Sequence, residues 1–200
     1  MATSKELEIL CRGKSRQQIN VIEYFCKQEG CLSKNMPDGE YMSQVRAMYD
    51  PIKLKQKAID KIGLDEDEIE EIPPAKFEGF VFNNAFAKKR ADGIWVSSCF
   101  QVSWIFFSST QVYFYSYTFN MDDDKKAERT EEYFYKDVTS LYTSFETEEA
   151  KDYSGKKVEV ATNKFAMVVP GDKLYVSMGD VKNAEEIIQA MKQKLREKKM

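Results

Sequence analysis

Residues 95–120 read WVSSCFQVSWIFFSSTQVYFYSYTFN, and the fold turns on how their apolar side chains alternate. In the first half the even positions Val96, Phe100, Val102, Trp104 and Phe106 are apolar. The odd positions Ser97, Cys99, Gln101 and Ser103 are small or polar, until Ile105 and Phe107. A period of two is that of an antiparallel strand with one buried face. Ser108-Ser109-Thr110 turns the chain into a second strand, QVYFYSYTFN, whose rings occupy both faces. Tyr113, Tyr115, Tyr117 and Phe119 lie on one, Val112 and Phe114 on the other. A barrel strand has one interior face, so the tyrosine row needs a second cover. Either the chain's own helices supply it, or the row is an interface with another protomer. Tyrosine suits an interface because its body is apolar while its hydroxyl can stay wet.

Short strands continue on both sides of this pair. KFEGFVF (76–82) precedes it, and DDDKKAERT (122–130) reads as an exposed hairpin loop after it. EEYFYKDV (131–138), SLYTSFETEE (140–149), KKVEVAT (156–162), KFAMVVP (164–170) and KLYVSMG (173–179) follow as strands, with Pro170-Gly171-Asp172 turning between the last two. The chain closes in NAEEIIQAMKQKLREKK, where Ala184, Ile187, Ile188, Met191 and Leu195 form one helical stripe. Asn183 and Glu186 are spaced for a capping box, and the lysine-rich end suits the helix dipole.

Helical spacing dominates before residue 73. Leu7, Ile9 and Leu10 begin a pattern that Ile19, Ile22 and Phe25 with Cys26 continue. GCLSKNMPDG (30–39) interrupts it as a turn-rich stretch. DPIKLKQKAIDKIGL (50–64) reads as a helix with Asp50 as cap, Pro51 at its first position and Gly63 after its end. Leu54, Ala58, Ile59 and Ile62 share one side of it. The acidic DEDEIEEIPP (65–74) ends at Pro73-Pro74, which stop any helix and mark the domain boundary. The expected organisation is a helical N-terminal segment, 1–73, followed by a barrel domain, 74–200. The fold class is α+β: a strongly bent antiparallel sheet or open barrel of about seven strands, with the last helix plugging its mouth.

Three features carry a family resemblance: EEYFYKDVTSLYTS, the hairpin KFAMVVPGDKLYVSMGD, and the terminal NAEEIIQAMKQKLREKK helix. Together they make residues 75–200 resemble the bacterial pleckstrin-homology-like domains, relatives of the PH and GRAM superfold. The resemblance implies a binding or assembly module that engages peptides, phosphorylated headgroups or other protomers, with homo-oligomers formed through strand edges. It also draws attention to AKKRADG (87–93), because lipid-binding relatives place a basic cluster at this connection. Lys88, Lys89 and Arg90 would be the ligand-binding residues for an anionic membrane surface. The strand that follows, IWVSSCF, lacks the spaced basic residues of the lipid motif.

Composition narrows the remaining functions. With 200 residues, 42% hydrophobic and 32% charged, the chain can bury one sizeable core. A net charge of −3 gives no general attraction to nucleic acid, and the aromatic strand lacks the basic companions that base stacking uses. Histidine is absent, which removes Ser-His and Cys-His nucleophile pairs. GKS (13–15) lacks the upstream glycine of a phosphate loop. Asp65, Asp67 and Glu70 lack the glycine and terminal glutamate of a calcium loop. Cys11, Cys26, Cys31 and Cys99 are spaced too widely for a structural zinc site and read as reduced thiols. No metal and no cofactor is expected. The N-terminus MATSKELEIL lacks a secretory pattern, so the cytoplasm is the expected location.

Overall fold

The computed structural model describes residues 4–26, 36–65, 69, 73–152, 155–179 and 184–199. Four helices come first: α1 (Ser4–Cys11), α2 (Arg16–Cys26), α3 (Asp38–Tyr49) and α4 (Leu54–Ile62). The strands follow as β1 (Ala75–Val81), β2 (Ala87–Lys89), β3 (Trp95–Ser97), β4 (Cys99–Phe107) and β5 (Gln111–Asn120). Next are β6 (Lys126–Phe134), β7 (Ser140–Lys151), β8 (Lys157–Val169), β9 (Asp172–Met178) and the helix α5 (Ala184–Lys199). The fold is α+β, with antiparallel sheets ordered β1-β4-β5-β6, β2-β3 and β7-β8-β9, and it is not closed into a barrel.

The register of β4 on β5 sorts the alternating side chains onto two faces. Phe100 lies opposite Phe119, Val102 opposite Tyr117, Trp104 opposite Tyr115 and Phe106 opposite Tyr113. These residues pack against Val21, Phe25, Tyr41, Val45, Leu54 and Ala58 of the helices. The other face carries Phe77, Ile105, Phe107, Val112 and Phe114. It packs on Phe165, Met167, Leu174 and Val176 of the second large sheet and on Ile188 and Met191 of α5. The four-stranded sheet is therefore the middle of three layers. That is why its strands are apolar on both faces: each fully buried ring is worth about 1.5–3 kcal/mol, and there are two cores to fill.

The two large sheets meet at one corner. The Gly179 N–H donates to the Glu78 carbonyl at 2.7 Å, and the Ser177 N–H donates to Gln101 Oε1 at 3.0 Å. A Cβ on Gly79 would lie 2.9 Å from the Gly179 nitrogen, and one on Gly179 2.9 Å from the Glu78 oxygen. Only glycine permits so close a backbone approach. The opposite flank is filled by the α5 stripe: Ile188 and Met191 are buried, with Ile187 and Leu195 packed beside them. The Asn183 cap lies outside the described residues.

Several boundaries differ from the sequence reading. α3 emerges from the end of the turn-rich stretch because Tyr41, Val45 and Tyr49 recur every fourth residue and bury one face. Asp50-Pro51-Ile52 is a 3-10 turn, and Lys53 takes a left-handed conformation (φ 51°), so α4 begins at Leu54 rather than Pro51. Its end at Gly63 (φ 77°) is as anticipated. The strand from Trp95 breaks at Ser98, whose N–H donates to Phe86 O and whose carbonyl accepts from Met121 N–H. The charged loop is also shorter: KAERT belongs to β6, since Lys126 already pairs with Phe119. Tyr135–Asp137 is a 3-10 turn, not strand. KKVEVAT and KFAMVVP are one strand, β8, because Asn163 stays in register between Phe145 and Met178.

Candidate functional site: the basic hairpin, the tyrosine row and the open edge

The hairpin of β2 and β3 carries Lys88, Lys89 and Arg90, and two of these three turn inward. Lys88 Nζ lies 4.3 Å from the centre of the Tyr24 ring and 4.0 Å from Asp38 Oδ1. Arg90 Nε lies 3.9 Å from Asp38 Oδ2, and its Nη2 pairs with Asp92. Asp38 also accepts the Tyr24 hydroxyl at 2.7 Å and the Ala91 N–H at 3.2 Å. Burial pushes the Asp38 pKa up, but these donors and the two cations outweigh it and hold the carboxyl below its ordinary value. Lys89 alone is exposed. The cluster ties the hairpin to the start of α3.

The tyrosine row is covered within the chain. Tyr113, Tyr115, Tyr117 and Phe119 are all buried. The Tyr49 ring from α3 stacks on Phe100 at 5.8 Å and meets Phe119 at 6.3 Å. Lys57 and Lys61 of α4 reach over the row to pair with Glu128 on β6, and Lys57 lies 5.5 Å from the Tyr117 ring. Tyr115 donates to Glu128 Oε1 at 3.4 Å. Burial first, then the Glu128 charge, drives the Tyr115 pKa well above its ordinary value. Of the two covers the strand pattern allows, the chain's own helices occupy the row, so these four residues do not form an outward surface of the single chain.

Thiol chemistry is muted by the same packing. Burial pushes Cys26 up to about 11 and Cys99 up to about 12, so both are protonated at neutral pH. Cys31, Asp67 and Glu70 lie outside the described residues. Among the described residues no group of three Cys, Asp or Glu side chains is placed to hold a metal ion. A shallow groove of about 320 Å³ lies between α4 and the sheet, bordered by Tyr49, Lys53, Lys55, Lys76 and Trp104. Of its three lysines, Lys76 is engaged by Glu78 at 2.6 Å and sits over the Tyr49 ring.

Sheet edges remain; the resemblance points to strand edges in general, and the assembled sheets decide which strands they are. β6 is one edge of the middle sheet and is studded with Lys126, Glu128, Arg129, Glu131 and Glu132, charges that discourage strand addition. β7 is an edge of the second sheet. Its pairing with β8 runs one to one from Ser140 to Lys151, without a bulge. Asp152 N–H donates to Lys156 O across this ladder, whereas Lys151 N–H points the other way, to Ala85 O. By strict alternation the even residues of β7 bond to β8 and the odd ones point outward. Between Ser140 and Ala150 no backbone bond among the described residues joins β7 to anything but β8, and past Ala150 the edge is closed by Phe86, which bridges to Lys151. The segment SLYTSF carries no charge, and Phe145 is 73% exposed. The signal was present in that uncharged run, but its position at an edge is a property of the assembled sheet.

Among the described residues no helix is long and apolar enough to cross a membrane. The chain matches no family model, no curated protein and no solved structure.

Proposed function

We propose that this chain is a non-catalytic binding module that works through protein–protein contacts. The observation that carries this reading is the β7 edge: from Ser140 to Ala150 its backbone bonds among the described residues go to β8 alone, its first half is uncharged, and the ring of Phe145 is exposed. Such an edge is a template for adding another strand, with main-chain bonds giving affinity and side-chain contacts giving selectivity. The order β1-β4-β5-β6 beside β7-β8-β9, with α5 filling the open flank, supports a pleckstrin-homology-like scaffold for residues 74–200. The N-terminal segment, 1–73, acts in this reading as the cover of the tyrosine row. The free thiols of Cys26 and Cys99 fit a reducing cytoplasm.

Thr143 is an odd residue of β7, so Thr143→Pro removes one outward N–H and leaves the β8 ladder intact. Cross-linking of the purified chain in its native extract tests the reading. Wild type should yield cross-linked products, with its own chain or with another, and Thr143→Pro should lose them. Identical products from both proteins, or none from either, would refute it. The alternative is attachment to an anionic surface through residues 88–90. It requires Lys88 and Arg90 to leave Asp38. Sedimentation with anionic vesicles at low salt tests it, and no binding there ends it.

A further inference from the structure

We propose that the groove between the α3–α4 turn and the middle sheet binds a small aromatic carboxylate, a flat ring carrying one negative charge. The site is separate from the β7 edge and stands or falls without it.

Shape gives the first half of the ligand. The groove holds about 320 Å³, the lower end of the range for small-molecule sites. Its floor is apolar, since Val102 of β4 and Leu54 of α4 both line it and both are buried. The rings of Tyr49 and Trp104 border that floor. Trp104 is held in place by Phe106, 6.2 Å away and 23° from parallel, yet it stays only half-buried. A fixed indole beside an apolar floor offers a second ring a surface to stack on or meet edge-to-face.

Charge gives the other half. The three lysines of the groove are not equivalent. Lys76 is committed to Glu78 and to the Tyr49 ring. Lys53 and Lys55 make no side-chain hydrogen bond, ion pair or ring contact among the described residues. Asp50 lines the same groove, also without an ion-pair partner among the described residues, and offsets one of these two lysines. One positive charge is left over, which suits a monoanion. A phosphate ester or a polyphosphate would bring a further negative charge against Asp50. The Trp104 N–H also donates to nothing among the described residues, which leaves a neutral donor for a carboxylate oxygen. Ring against Trp104 and carboxylate toward Lys53 and Lys55 is the arrangement that uses every unengaged group of the lining. A shallow site and a ligand of few atoms give weak binding, submillimolar to low millimolar.

The probe is 2-naphthoate, titrated to about 5 mM into the full chain labelled with nitrogen-15. Trp95 and Trp104 are the two tryptophans, so two indole N–H signals report, and Trp104→Phe assigns them. Trp95→Phe makes the assignment if Trp104→Phe does not fold. The Trp104 signal should shift saturably while the Trp95 signal stays in place. The double variant Lys53→Gly, Lys55→Gln should weaken binding about fivefold or more. Glycine adopts the left-handed backbone of Lys53 (φ 51°) without strain, so this variant removes charge and keeps the turn. Lys89→Gln, at an exposed lysine of the β2–β3 hairpin, should leave the dissociation constant unchanged. Uncharged 2-naphthamide, non-aromatic cyclohexanecarboxylate and inorganic phosphate should each bind at least about fivefold more weakly than 2-naphthoate. Far-ultraviolet circular dichroism checks that each variant is folded. No saturable shift at the highest concentration overturns the proposal, as do equal shifts at both indoles. A dissociation constant unchanged in the double variant also overturns it, and so does 2-naphthamide or phosphate binding as tightly as 2-naphthoate.

Discussion

Tyr41 shows how much one side chain decides here. It is fully buried, its ring stacks on Tyr24 at 4.5 Å, and its hydroxyl donates to the Ser97 carbonyl at 2.6 Å. That carbonyl sits where β3 ends, so the hydroxyl satisfies an acceptor that the strand break takes out of the ladder. Tyr41→Phe keeps the ring and orphans the acceptor. A loss of about 1–3 kcal/mol in urea unfolding is expected, with an unchanged m-value. A loss within about 0.5 kcal/mol, the range of ordinary surface substitutions, would mean that the Ser97 carbonyl finds another donor. Asp38 works in the same manner one turn earlier, gathering Tyr24, Ala91, Lys88 and Arg90 around one carboxylate. Neither role is readable from residue type, since Ser97 and the Lys88–Ala91 hairpin lie some fifty residues away in the chain.

At the level of elements, the glycines at the corner of the two large sheets make a sharp prediction. Gly79→Ala would put a methyl 2.9 Å from the Gly179 nitrogen, and Gly179→Ala one 2.9 Å from the Glu78 oxygen. Both neighbours are backbone and have little room to yield. Each variant should lose about 2–3 kcal/mol by thermal or urea unfolding, in the range for overpacked sites. A control at Gly39, where an added Cβ meets nothing within 4 Å, should stay close to wild type. The alternation of 95–120, the α5 stripe at Ile188 and Met191, and the α4 face of Leu54, Ala58 and Ile59 were all legible, because period and burial are the same information. What was not legible depended on neighbours. The Lys88-Lys89-Arg90 cluster looks like a free tip until Asp38 is folded beneath it, and β6 looks like a loop until β5 pairs with its charges. That Phe145 is exposed depends on its strand being an edge, which only the assembled sheet decides.

Taken whole, the molecule is a store of protonated phenols and thiols. Burial raises the pKa values of Tyr41, Tyr49 and Tyr115 above the ordinary 10.0, and those of Cys26 and Cys99 above 9.0. Groups with raised folded values contribute stability that is complete below the unfolded pKa and is lost as pH rises toward the folded one. Stability should therefore begin to fall near pH 9 as the thiols of the unfolded chain ionise, and fall faster above pH 10 as its tyrosines do. A fully buried group such as Tyr41 costs about 1.4 kcal/mol per pH unit in that window, and groups nearer solvent cost less. Urea unfolding at stepped alkaline pH, read beside tyrosinate absorbance, checks this. A flat profile through pH 10 would mean that the rings ionise inside the folded protein.

The glycine corner also bears on how quickly the chain finds its fold. The bond from Gly179 to Glu78 joins residues about a hundred positions apart, and it links the sheet that starts the strand region to the sheet that ends it. Closing a loop of that length is entropically slow, and topologies rich in such distant pairings fold slowly for their stability. If the corner forms only after each sheet has assembled, Gly179→Ala leaves the refolding arm of a chevron near wild type and steepens loss through unfolding. The final latch of the molecule would then govern how long it stays folded, and hardly at all how fast it gets there.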